Sequence, residues 1–134
     1  MQMRQLMSVV RPALLAAGAG LLLVVPAAQA HQSPGAALYL SVEWDGGGRG
    51  PAETTLTCHP SGGFHSRAEA ACAALDRVDG RFGDLSSSGG VCTMEYRPTT
   101  ATAKGRWFAE PVDYRETFDN PCLAIRESSG VFDL

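Results

Sequence analysis

Four cysteines constrain this chain more than any other feature: Cys58, Cys72, Cys92 and Cys122. They follow an N-terminal stretch, residues 1–30, that carries the marks of a removable secretory signal peptide. Arg4 and Arg11 give it a positive start, an apolar run follows from Pro12 to Val25, and Ala28-Gln29-Ala30 places small residues at a cleavage position. The run is short and interrupted by Gly18, Gly20 and Pro26, so it does not read as a membrane span. An even number of cysteines in a small exported chain reads as two disulfides, because the oxidising compartment keeps them formed. Four cysteines allow three pairings, and their spacing does not choose among them. A zinc site would have to draw on Cys58, His59, His65 and Cys72, whose spacing fits no common ligand arrangement. No metal and no other cofactor is expected.

Removing residues 1–30 leaves a chain that starts at His31 and suffices for one domain with one core. All 14 acidic residues remain, against nine basic ones, so the net charge is about −5 with histidines neutral. That balance argues against nucleic acid or an anionic membrane as partner, since both require a basic patch.

Residues 31–36 read as a flexible arm and 37–134 as the folded domain. From Leu38 the chain alternates strictly, with Leu38, Leu40, Val42 and Trp44 on one face and Tyr39, Ser41 and Glu43 on the other, a half-buried strand. Asp45 to Pro51 is a glycine-rich turn, followed by a threonine-rich strand over Glu53–Cys58. Ser66–Val78 predicts a helix: Ser66 and Glu69 have capping-box spacing, Ala68, Ala71, Cys72, Leu75 and Val78 form one apolar stripe, and Gly80 supplies the stop. A serine-glycine loop precedes Val91–Arg97, which Pro98 ends. Thr99–Ala103 and Arg106–Phe108 flank Lys104-Gly105 as a tight hairpin. Pro111–Phe118 alternates again, Leu123–Glu127 has room for one short helical turn, and Val131 and Phe132 return to the core. The expected fold class is α+β: an antiparallel sheet of about five strands with one clear and one short helix.

The histidines do not assemble a catalytic signature. His59 and His65 sit among glycines and read as loop hydrogen-bonders, every cysteine is accounted for by pairing, and no nucleophile-elbow pattern occurs. An enzyme is not expected.

The stretch Cys58-His59-Pro60-Ser61-Gly62-Gly63-Phe64-His65-Ser66, continuing to Ala71-Cys72-Ala73-Ala74-Leu75, closely resembles the signature segment of the Streptomyces subtilisin inhibitor family. Ser66 stands where that family usually has proline, and either residue suits a helix start. The order of later features is similar too: Cys92-Thr93-Met94-Glu95-Tyr96-Arg97-Pro98, then Tyr114 and Phe118, Asn120-Pro121-Cys122, and Ser128 to Phe132. The resemblance covers about Ala37 to Leu134.

This resemblance implies a secreted inhibitor of subtilisin-like serine endopeptidases, with chymotrypsin-like ones as a second class of target. It implies disulfides Cys58–Cys72 and Cys92–Cys122, and a reactive bond Met94–Glu95 held out as a substrate mimic. Val91, Cys92, Thr93, Tyr96 and Arg97 would then contact the protease, and Asn120 would hold the loop backbone. Met94 suits an apolar primary pocket, where a trypsin-like pocket would want Lys or Arg. Thr93 replaces a common proline, and Glu95 places a negative charge on the leaving side. Read by pattern alone, Met94 could equally be a core strand residue sharing a face with Cys92 and Tyr96. The alternative from another class is a secreted binding or structural module that keeps the scaffold without inhibiting. The resemblance also implies a homodimer formed by packing sheet faces, for which the apolar side of Leu38–Trp44 is one candidate and monomer core the other use.

Overall fold

A computed structural model describes residues 32–46 and 50–134; the signal-peptide expectation and the centre of the glycine-rich turn lie outside the described residues. Five strands form one antiparallel sheet: β1 Ala36–Trp44, β2 Ala52–Cys58, β3 Gly62–Gly63, β4 Thr99–Trp107 and β5 Glu110–Phe118, in the order β3-β2-β1-β4-β5. Two helices accompany it, α1 Ala68–Arg77 and α2 Pro121–Glu127, with a single 3-10 turn at Phe82–Asp84. The α+β architecture is the expected one; the two-residue β3 carries no sequence pattern and was not anticipated.

One sheet face makes the core. Leu38 pairs across to Leu56 and Gly105, and Leu40 to Thr54 and Ala103, so the alternation in β1 places its apolar side opposite small or apolar partners. Ala36, Leu38, Leu40, Val42, Leu56, Ala101, Ala103 and Trp107 are buried there against Ala71, Cys72, Ala74 and Leu75 of α1 and against Phe82, Val131 and Phe132. The apolar side of Leu38–Trp44 is therefore monomer core, which corrects its candidacy as a dimer surface. The Cys58–Cys72 disulfide joins the end of β2 to the buried stripe of α1.

Three local expectations are corrected. The flexible arm does not extend to 36: Ala36 is buried in β1, and Arg106 donates to the carbonyls of Pro34 at 2.9 Å and Gly35 at 3.2 Å. The Ser66–Glu69 capping box does not form. The buried His65 ring instead accepts from the Arg67 amide at Nδ1 (3.0 Å) while Nε2 meets the Val131 carbonyl (2.9 Å), and α1 begins later, at Ala68. With Nδ1 accepting from the Arg67 amide, Nε2 is the nitrogen that donates to the Val131 carbonyl. The helix ends at Arg77, and Gly80 closes the turn beyond it, its left-handed backbone letting its amide reach the Leu75 carbonyl at 2.9 Å. Lys104-Gly105 is not a turn. It lies within the continuous strand β4, where Gly105 (φ 141) faces the Ala37 carbonyl so closely that a β-carbon would collide with it. The chain turns instead at Phe108-Ala109.

Tyr114 of β5 packs against both Phe82, with ring centroids 5.3 Å apart, and Phe132, at 6.1 Å, and its hydroxyl donates to Glu116. Burial first, then the hydrogen bond and charge of Glu116, push the phenol well above its ordinary value of 10.0. An acid raised on folding contributes stability that is complete below the unfolded value and is lost as pH climbs through the folded one. Thermal melts taken at neutral pH and at about pH 11 should show a fall that Tyr114→Phe reduces; an equal fall in the variant would reject this origin.

Candidate functional site

Between the 3-10 turn at Phe82–Asp84 and β4 the chain leaves regular structure. Val91–Arg97 joins no ladder, so the alternation that would have made Met94 a core strand residue has no sheet to act on. Met94 is 95% exposed, Val91 98% and Tyr96 80%; Thr93, Glu95 and Arg97 are exposed and Cys92 is half-buried.

An exposed segment of this kind would be mobile unless its backbone were held. The holding residues are Asp119, Asn120 and Cys122. Cys122 is bonded to Cys92, the pairing that the resemblance implies. Asn120 Nδ2 donates to the carbonyl of Thr93 at 3.0 Å and to that of Glu95 at 3.1 Å. The Asp119 carbonyl accepts from the Arg97 amide at 2.8 Å. Anchors thus fall at 92, 93, 95 and 97, on both sides of the Met94–Glu95 peptide.

Asn120 can do this because of where the sequence puts it. It is the only asparagine of the chain and precedes Pro121, whose fixed φ suits the first position of a helix. Its extended backbone (φ −160°, ψ 167°) makes it the N-cap of α2, with Oδ1 accepting from the Leu123 amide at 2.9 Å. Being 1% exposed, it has no water to turn to, and its two amide protons and its oxygen are all satisfied within the protein.

The flanks are fastened as well. On the C-terminal side the Pro98 carbonyl accepts from Asp45 at 2.9 Å, and Thr99, fully buried, opens β4 between β1 and β5. On the N-terminal side the Ser88 amide donates to the Arg126 carbonyl at 2.9 Å, the Arg126 guanidinium reaches the Gly90 carbonyl at 3.4 Å, and the Ser129 hydroxyl donates to the Ser86 carbonyl. Arg126, Asp119 and Ser129 were not singled out from sequence. Asp119 and Arg126 act wholly or partly through backbone atoms and Ser129 across a separation of 43 residues, for which composition gives no signal. An open groove of about 460 Å³ flanks the loop, where Glu95 shares the lining with Arg97 and Arg126.

Outside the loop, the two described histidines serve structure: His65 as given above, and His59 through Nε2 to Asp76 at 2.8 Å. What the site offers is therefore an exposed, backbone-restrained peptide with an unbranched apolar side chain at its tip.

Residues 34–120 match the family described as subtilisin inhibitor-like. The chain is similar to Protease inhibitor SIL-V2 of Streptomyces orinoci, 44% identical over 81 residues that cover 58% of this chain and 74% of the relative. It is likewise similar to Subtilisin inhibitor-like protein 2 of Streptomyces rochei, 45% identical over 80 residues, covering 58% and 71%. Among solved structures it resembles Streptomyces caespitosus sermetstatin in complex with Bacillus licheniformis subtilisin, with a TM-score of 0.59 and 30% identity, covering 74% of this chain and 98% of that one.

Proposed function

The chain belongs to the subtilisin inhibitor-like family, and on that premise we propose that it inhibits subtilisin-like serine endopeptidases by presenting Met94–Glu95 as a bond they bind but release poorly. The family is one of protease inhibitors and not of enzymes. The observation that carries the assignment of the bond is the bracket formed by Asn120 on either side of an almost fully exposed Met94.

In this mechanism the backbone from Val91 to Met94 lies along the protease cleft and adds hydrogen bonds like an extra strand. Met94 enters the primary pocket, which its flexible thioether chain can fill. The restrained loop loses little conformational entropy on binding, so more of the contact energy appears as affinity. After a cut, Cys92 and Cys122 still join the two pieces and Asn120 still holds carbonyls on both sides, which keeps the new ends close enough to rejoin.

Titration of the purified protein against subtilisin tests the reading. Stoichiometric inhibition is expected, and Met94→Asp should abolish it by forcing a charge into an apolar pocket. No inhibition at micromolar protein would favour a binding module on the same scaffold. Glu95→Ala should tighten binding if the charge on the leaving side limits affinity; an unchanged inhibition constant rejects that role.

We infer secretion from the N-terminal pattern and from the two disulfides, which persist in oxidising surroundings. A homodimer of packed sheets would have to use the opposite face, around Tyr39, Ser41 and Thr102, since Leu38, Leu40 and Val42 are enclosed. Sedimentation showing only monomer at micromolar concentration would exclude that assembly.

A further inference from the structure

We propose that Met94 is a reversible oxidation site through which a hydroperoxide switches the inhibitor off. The proposal rests on the reading of Met94 as the residue that enters the protease pocket. Its own basis is the rarity and placement of this side chain. Met94 is the only methionine beyond Met7, and it stands 95% exposed at the loop tip. No thiol competes for the oxidant, because all four cysteines are bonded in pairs. Of the two tryptophans, Trp107 is buried and Trp44 half-buried. The accessible oxidisable sulfur of the folded domain is thus concentrated at the one side chain on which recognition would depend.

The step is a two-electron oxygen transfer. The thioether sulfur attacks the distal oxygen of hydrogen peroxide, the O–O bond breaks, and water leaves; sulfur is oxidised to sulfoxide and peroxide is reduced to water. A flexible apolar chain becomes a polar, chiral one, whose sulfoxide oxygen would lose its water on entering an apolar pocket. The fold has no stake in the change, because the loop is held through Cys92, Thr93, Glu95 and Arg97 and not through the Met94 side chain. Methionine sulfoxide reductases reverse the modification, so the loss is recoverable.

The test uses the full purified protein, treated with hydrogen peroxide that is then removed with catalase before any protease is added. Peptide mapping should place one added oxygen on Met94, and the inhibition constant for subtilisin should rise by about tenfold to a hundredfold. Treatment with both sulfoxide reductases should restore it, and the melting temperature should not move. Met94→Leu, compared only with itself, should give the same inhibition constant before and after peroxide. In a preformed complex with subtilisin, Met94 should resist oxidation. The proposal is overturned if the sulfoxide does not form, if the Met94 sulfoxide protein inhibits as well as the untreated one, or if Met94→Leu weakens equally on treatment. Failure of the untreated protein to inhibit at all is a different result, and overturns the assignment of the loop itself.

Discussion

The double change Cys92→Ser, Cys122→Ser is expected to turn a lasting inhibitor into a substrate. The bridge closes a separation of 30 residues, and on the loop-entropy model such a link contributes about 3–4 kcal/mol. A domain of this size should lose on the order of 15 °C in melting temperature for that amount. The functional effect should exceed the stability effect. Cleavage after Met94 would leave β1, β2, β3 and α1 on one piece and β4, β5 and α2 on the other, joined by the β1–β4 ladder and the core. Those contacts keep the pieces associated, and Asn120 holds carbonyls beside the cut, but the disulfide is the covalent tie, two residues before it. Incubation with catalytic amounts of subtilisin, followed by mass spectrometry of the 94–95 bond, should show progressive cleavage and recovery of protease activity. A double-serine variant that stays intact and inhibits as long as the wild type would reject this role for the bridge.

Asn120→Ala should produce the second largest loss. It deletes three hydrogen bonds of a buried side chain, leaving two loop carbonyls and the Leu123 amide without their partner. A cost of about 2–4 kcal/mol follows from a lost helix cap plus the loop bonds. Asn120→Ser separates the two jobs. Serine can cap α2 but is too short to reach both carbonyls, so it should recover about 1 kcal/mol of stability without recovering resistance to cleavage. Chemical denaturation and the same cleavage assay read the two quantities independently. If serine restores both, the loop bonds contribute nothing beyond the cap.

What could be read in advance depended on whether the cause was local. The alternation of Leu38, Leu40 and Val42 and the stripe of Ala71, Cys72 and Leu75 are repeated along their own segments, and burial follows directly from them. The start of α1 is not locally determined, because a distant partner intervenes: the buried ring of His65, fixed by the Val131 carbonyl 66 residues away, takes the Arg67 amide. Gly105 looked like a turn residue, but it is glycine because β1 approaches too closely for a side chain. The true turn holds Phe108 at φ 49°, a conformation that phenylalanine does not advertise. At the loop, the resemblance pointed to Met94, Glu95 and Asn120. The geometry around them, including the part played by Asp119 and Arg126, appears only once α2 is set beside residues 86–97.

Apart from Cys92 and the Ser88 hydroxyl, which donates to the Arg126 carbonyl at 3.3 Å, the loop is fastened through its main-chain atoms; none of these contacts uses the side chain of Val91, Met94 or Tyr96. Frame and message are thereby physically separate. The residue that a protease would read can be exchanged without touching the parts that keep the loop in shape, so a change of target would carry almost no folding penalty. A chain built this way can follow a new protease by single substitutions at its tip, while α2 and its cap stay as they are.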